Sequence, residues 1–356
     1  MSPLTIGIIG IVLLFLLFAT GMPIAFVMTL VGWLGYLYLG SVDGGLHILG
    51  ISFYAGGTSY TLSVIPLFVL MGQFASHAGL SHEIYYAVQR WIGHKRGGLA
   101  MATVGACAGF AAISGSSVAT AATMGTVALP EMRKYGYGTS LATGTVAAGG
   151  TLGILIPPSA TFVFYAILTE QSVGKLFIAG ILPGVLLALL FMLAINIQVR
   201  LDPQIAPRSE AAALKERITA LKGVWGMLAL FVLVMGGIYI GVFTPTEAAG
   251  IGAFGAFVFS IYKRNMTWKH FMDSLRMTGQ NTGMIFIIVI GAYVFGYFLA
   301  VTRIPFELAE YMSGLKLSPY IILAGVVLIY TILGMFLDGW AIMVLTIPII
   351  HPMMVN

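Results

Sequence analysis

Three short segments place oxygen ligands inside apolar sequence. The first is Ser114-Gly115-Ser116-Ser117, near the middle of the apolar stretch 97–131. Hydroxyls and carbonyls freed at a helix break are hard oxygen donors that suit Na⁺, while a nearby helix N-terminus favours an anion. The bland alternative is that small residues simply let membrane helices pack closely. The second segment is Gly149-Gly150-Thr151-Leu152-Gly153-Ile154-Leu155-Ile156-Pro157-Pro158-Ser159. Two consecutive prolines lack amide hydrogens and disfavour helix at Ile156, so upstream carbonyls lose their partners. In hydrocarbon such carbonyls are costly unless something coordinates them; a plain proline kink is the alternative. The third is Asp338 in Gly334-Met335-Phe336-Leu337-Asp338-Gly339, the acid set deep in the apolar stretch 317–352. An ionised group at such depth costs roughly 2.5–3.5 kcal/mol, which marks it for cation binding, substrate contact or proton storage, with helix capping as the alternative.

Other polar residues point less sharply. Arg303, beside Ile304-Pro305, is a candidate contact for an anionic solute, although an arginine there also snorkels to an interface. Thr58, Ser59, Thr61 and Ser63 suit back-bonding to their own helix, and Glu247 after Pro245 reads as a first-turn helix acid. The six histidines lack metal-ligand spacing; no Walker loop and no nucleophile–base pattern is present.

These segments need a membrane to position them. Of 356 residues, 59% are hydrophobic and 8% charged, with mean hydropathy +0.99, against about 25% charged in a soluble domain. Apolar runs long enough to cross a ~30 Å core recur throughout, too long and uniform for a membrane barrel. The reading is an all-α polytopic membrane protein. Its net charge of +5 carries no implication of nucleic-acid binding. The single Cys107 cannot form an internal disulfide, and the first apolar run reads as an uncleaved span.

Candidate spans are 4–20, 23–40, 58–79, 138–169 (broken), 174–199, 222–243, 245–262 and 279–300. The stretches 97–131 and 317–352 are too long for one crossing and read as re-entrant helical hairpins. With the N-terminus outside, 14 of the 17 Lys and Arg fall inside, leaving Lys175, Arg303 and Lys316 outside, as the positive-inside rule requires. Segments 81–94 and 267–276 read as interfacial amphipathic helices, and 201–221 as a cytoplasmic linker helix. Matching sequence recurs at 245 − 23 = 222 and 348 − 130 = 218 residues, which indicates an internal duplication. Residues 1–200 form the first repeat and 222–356 the second. The first holds five crossings, an odd number, so the second is inverted. The second repeat stops after its hairpin, an expectation of a C-terminally incomplete copy or one completed by another polypeptide.

The stretches ISGSSVATAATMG (113–125), GTLGILIPPS (150–159) and GMFLDGWAIMVLTIPI (334–349) resemble the DctM-like large membrane subunit of TRAP (tripartite ATP-independent periplasmic) transporters. The resemblance covers essentially the whole chain. It implies an elevator with scaffold and transport domains built from inverted repeats, in a bacterial inner membrane with a periplasmic N-terminus. It implies Na⁺-coupled import of a small organic acid, such as a C4-dicarboxylate or sialic acid. A small four-helix membrane subunit and a periplasmic substrate-binding protein would be its partners. By position, Ser114, Gly115, Ser116 and Ser117 with Gly153, Ile156, Pro157 and Pro158 would form one Na⁺ site. Gly334 and Asp338 would help form a second, and Ser114, Ser159 and Asp338 would lie nearest the solute. The alternative is a divalent-anion/Na⁺ symporter working without a binding protein; such proteins carry Ser-Asn-Thr at hairpin tips, where this chain has Ser-Gly-Ser-Ser. An intramembrane enzyme would need at least two ionisable groups meeting in the membrane, and Asp338 alone qualifies.

Overall fold

The computed structural model describes residues 2–208, 211–314, 318–335, 337 and 339–355, and among these all regular structure is helical. The chain opens with α1 (Pro3–Ala19), α2 (Ile24–Leu39), α3 (Val42–Thr58), α4 (Val64–His77) and α5 (Leu80–Ile92). Next come the hairpin α6 (Gly98–Ser114) and α7 (Ser117–Lys134), then the broken helix α8 (Thr139–Gly150), α9 (Leu152–Leu155) and α10 (Ala160–Thr169). The 29-residue α11 (Val173–Leu201) leads to α12 (Leu214–Gly223), α13 (Trp225–Phe231), α14 (Gly237–Ile240) and α15 (Pro245–Tyr262). The 35-residue α16 (Trp268–Thr302), α17 (Ile304–Gly314), α18 (Pro319–Gly334) and α19 (Gly339–Val355) complete the order.

Local chemistry sets the ends. Pro245 occupies the first turn of α15, where a missing amide hydrogen costs nothing. Thr244 and Glu247 close a capping box there, Glu247 Oε2 accepting from the Thr244 N–H at 2.8 Å, so Glu247 is the first-turn acid the sequence suggested. Gly115, at φ 59°, ends α6 in the left-handed conformation that glycine adopts without strain. The helices α11 and α16 are long and apolar enough to cross a membrane. At 1.5 Å per residue α11 spans about 43 Å, and it exposes Ile178, Leu182, Val185, Leu186, Leu189 and Leu193. That side has hydrocarbon, not water, as its solvent.

Where the sequence suggested hairpins the chain forms consecutive helix pairs in contact, α6–α7 and α18–α19. Across the first, Ser114 Oγ and Thr120 Oγ1 lie 2.7 Å apart, and the Leu99 N–H donates to the Tyr137 hydroxyl at 3.2 Å. Burial raises the pKa of that phenol, which stays neutral. Across the second, the Tyr330 hydroxyl meets Thr346 Oγ1 at 2.8 Å. The broken helix is also as expected, with α8–α9 and α10 meeting at 44°.

Several boundaries differ from the sequence reading. The helix α3 was not expected, because its five glycines mask an apolar pattern; in the fold Gly45 and Gly56 admit close neighbours. Residues 267–276 are not a separate interfacial helix but the first turns of α16, since nothing between Arg276 and Gly279 breaks a helix. A further helix, α17, follows Arg303. Past the end of α11 at Leu201, the described residues of the linker hold a short 3₁₀ turn at Pro203–Ile205 and then α12. The 222–243 span is interrupted by a π turn at Val232–Gly236.

The chain divides into two compact units, residues 1–62, 168–170 and 283–356, and residues 63–167 and 171–282. In the first, α1, α2 and α3 pack on the second half of α16 through glycines. A Cβ on Gly32 would fall 2.8 Å from the Phe295 Cα, and one on Gly56 would fall 2.7 Å from Ile290. Phe295 and Phe298 are fully buried there. In the second unit α6 is the central helix, its Leu99, Val104, Cys107 and Phe110 fully buried, and it packs against α4, α5, α7, α8, α9 and α11. The linker helix α12 docks on α5, where Trp91 Nε1–H donates to the Arg217 carbonyl at 3.2 Å and Arg90 pairs with Glu216 at 3.5 Å.

Helix starts recur at a near-constant interval. Pro3 and Trp225 differ by 225 − 3 = 222, Gly98 and Pro319 by 319 − 98 = 221, and Ser117 and Gly339 by 339 − 117 = 222. The division points Ser63 and Gly283 differ by 283 − 63 = 220.

The glycine contacts set a test. Gly32→Ala should lower stability by about 1–3 kcal/mol, because the methyl meets backbone that cannot step aside. Gly50→Ala, with nothing within 4 Å of its Cβ, should not. Thermal unfolding of purified protein in detergent reads both; equal midpoints would contradict the packing.

Candidate functional site

The tip of α6–α7 and the break of α8–α10 meet within one unit, backbone against backbone. A Cβ on Gly115 would fall 2.8 Å from the Pro158 carbonyl oxygen. One on Gly153 would fall 2.4 Å from the Ser116 carbonyl oxygen and 2.8 Å from Thr120 Oγ1. Gly150 lies against Ala121 and Gly149 against Cys107, both contacts under 3 Å for an added Cβ. From the other side α4 brings Gly72, whose Cβ would stand 2.9 Å from the Ser114 Cα. Only glycine fits at such contacts, which is why the Gly-rich run precedes the prolines.

The prolines decide which oxygens are free. In an unbroken helix the amides of residues 157 and 158 would serve the carbonyls of Gly153 and Ile154; as prolines they serve neither. Ser159 repairs one of these losses, its hydroxyl donating to the Ile154 carbonyl at 2.7 Å. Ile156 is extended and returns its own N–H to the Leu152 carbonyl at 2.9 Å. At the hairpin tip Ser116 is extended and caps α7, its Oγ accepting from the Ala119 N–H at 3.3 Å. Ser114 and Ser159 are buried, whereas Ser116 and Ser117 are half-buried.

Thus the structure sets Gly115 against Pro158 and Ser159, and Gly153 against Ser116 and Thr120. Ser114, Ser117 and Pro157 belong to the same two segments, whereas Ile156 lies against Gly184 of α11. Gly334 and Arg303 belong to the other unit. Gly334 ends α18 and is exposed; Arg303 is exposed, at φ 58° between α16 and α17. Asp338 lies outside the described residues. A cavity of about 430 Å³ in that unit is lined by Pro23, Phe26, Met284, Ile288 and Leu337, beside the second hairpin's tip.

Sequence reasoning missed two hydroxyls. Thr120 is fully buried and pairs with Ser114. Thr161 Oγ1, just past the second break, is buried without a hydrogen-bond partner. The signal for Thr120 was its place one turn beyond Ser116–Ser117 on α7. The oxygen set at the seam consists of carbonyls and hydroxyls, and among the described residues no group of three or more His, Cys, Asp or Glu could hold a metal ion. Neutral oxygens of this kind fit a monovalent hard cation.

Residues 11–356 match the family model described as the tripartite ATP-independent periplasmic transporter, DctM component. The chain is 41% identical over 306 residues to the C4-dicarboxylate TRAP transporter large permease protein DctM of Pseudomonas aeruginosa, covering 85% of this chain and 71% of the relative. It is 35% identical over 360 residues to the protein of the same description from Rhodobacter capsulatus, covering 97% and 81%. It is 31% identical over 339 residues to the sialic acid TRAP transporter large permease protein SiaM of Vibrio cholerae, covering 95% and 78%. These relatives are transport permeases, not enzymes.

Gly153→Ala should drive the hairpin tip and the broken helix apart and cost about 1–3 kcal/mol. Gly144→Ala, whose Cβ meets nothing within 4 Å, is the control on the same broken helix. Comparable thermal midpoints for the two variants would contradict the contact at Gly153.

Proposed function

This chain belongs to the DctM family of tripartite ATP-independent periplasmic transporter components, and from that membership we propose that it couples Na⁺ entry to the uptake of a small organic carboxylate. It is a membrane permease of the large-subunit type. The observation that carries the coupling is the seam between the two breaks, where the Ser116 and Pro158 carbonyls lie against Gly153 and Gly115.

In this reading Ser114, Gly115, Ser116, Ser117, Gly153, Ile156, Pro157 and Pro158 supply oxygens and backbone shape for one Na⁺. Gly334 and Asp338 contribute to a second. The ion offsets the Gly153 carbonyl dipole, which Pro157 deprives of its helical amide partner, a loss that is costly in hydrocarbon. The N-terminal turn of α7 then offers amide hydrogens and a positive dipole to the solute carboxylate. Ser114, Ser159, Asp338 and Arg303 are its candidate contacts. Because ion and solute meet at the same tips, each raises the affinity of the other by the same factor.

Recurring helix starts support the duplication, and five crossings in the first copy turn the second over. Such inverted repeats suit alternating access by an elevator movement of a transport domain against a scaffold. Lys and Arg placement supports a periplasmic N-terminus in a bacterial inner membrane. The partners are a small four-helix membrane subunit and a periplasmic binding protein. The relatives named above handle C4-dicarboxylates and sialic acid, so the solute class here is a carboxylate of that kind. No observation favours a symporter that dispenses with the binding protein.

Reconstitution in proteoliposomes with both partners tests the proposal. Uptake should require an inward Na⁺ gradient, and Ser116→Ala and Asp338→Ala should each cut it at least several-fold without loss of folded protein. Equal uptake in K⁺ without Na⁺ would refute the coupling. Unchanged Na⁺ dependence in either variant would remove that residue from the site.

A further inference from the structure

The hydroxyls of Ser114 and Thr120 face each other across the first hairpin's break at 2.7 Å, and both residues are buried. Ser114 is the last residue of α6, and Thr120 lies in the first turn of α7. Thr120 Oγ1 also reaches the broken helix, since a Cβ on Gly153 would fall 2.8 Å from it. It therefore touches all three strands of the seam: the end of α6, the start of α7 and the unwound run before Pro157.

A hydroxyl carries one hydrogen and two acceptor positions, so the Ser114–Thr120 pair has a direction. With Thr120 as donor, one acceptor position of Ser114 is occupied and the Ser114 hydrogen must point elsewhere. With Ser114 as donor, its hydrogen is drawn toward α7 and its lone pairs turn to the seam. The first arrangement leaves Ser114 Oγ one acceptor position for a cation; the second leaves both.

We propose that Thr120 is a positioning residue of the cation site: by accepting the Ser114 hydrogen it fixes the Ser114 lone pairs toward the ion. This inference rests on the Na⁺ reading of the seam but assigns a role that reading does not contain. Thr120 need not touch the ion itself. Its effect is electrostatic and directional, and is felt as Na⁺ affinity rather than as solute capture or fold.

The test uses the purified full chain in detergent, with the thermal midpoint followed as NaCl replaces choline chloride at constant ionic strength. Wild type should gain stability with Na⁺, because an ion that binds only the folded form raises its midpoint. Thr120→Ser keeps the acceptor and should follow wild type. Thr120→Val keeps the shape without the acceptor. It should require about tenfold more Na⁺ for half the gain, the scale of one hydrogen bond to a charged centre, with its midpoint in choline close to wild type. Should the valine variant not fold, Thr120→Cys, a weaker acceptor of similar size, should give a smaller shift in the same direction. An unchanged half-saturating Na⁺ concentration in the valine or cysteine variant, with wild type responding, overturns the role of Thr120 alone. No response to Na⁺ in wild type overturns both this role and the Na⁺ reading.

Discussion

Hydrocarbon offers no hydrogen bonds, so each backbone group freed inside it must find a partner within the protein. Two helices of this chain break that rule by their own sequence, one at Ser114–Ser117 and one at Ile156–Ser159, and the breaks sit against each other. Glycines at 115 and 153 let carbonyl oxygens of one segment approach the backbone of the other more closely than any Cβ would allow. Ser159 and Ser116 recover part of the lost bonding locally, through Ile154 and Ala119. What remains is a buried seam rich in neutral oxygen. Under the proposed function the transported ion completes that bonding, which would make ion binding and tip closure a single event.

Around the seam the elements follow a repeated order. Helix starts separated by 221 or 222 residues pair α1 with α13, α6 with α18 and α7 with α19, and the division points of the two units lie 220 residues apart. Each unit thus takes the front of one copy and the rear of the other, with one hairpin apiece. The copies also differ where it matters for shape. α3 and α4 are separated by Ser59, Tyr60 and a 3₁₀ turn, whereas α16, at the matching place, runs unbroken for 35 residues.

The chemistry-bearing breaks were legible in the sequence because glycine, serine and paired prolines are conspicuous against apolar runs. The helix pairs α6–α7 and α18–α19 lie where long apolar stretches carry a polar or Gly-rich break near the middle, and the bend between α9 and α10 lies at the double proline. The contact between the first tip and the double-proline loop was not derivable from spacing, because it depends on tertiary packing through Gly72, Gly115 and Gly153. Thr120 escaped notice for a related reason: a threonine in an amphipathic-looking turn is ordinary until its partner across the break is known. The helix α3 was hidden by glycines that weaken local propensity yet fit Leu37 and Ile290 in the fold. The fusion of 267–276 into α16 shows that a change from polar to apolar composition does not end a helix without a breaker.

Backbone hydrogen exchange of the protein in lipid nanodiscs, compared in Na⁺ and in K⁺, addresses the central claim most directly. If the two breaks form one ion-bearing seam, amides of 115–120 and of 152–156 should slow together when Na⁺ replaces K⁺, with the same concentration dependence. Protection that is indifferent to the cation, or that rises in one segment while the other is unaffected, would contradict it.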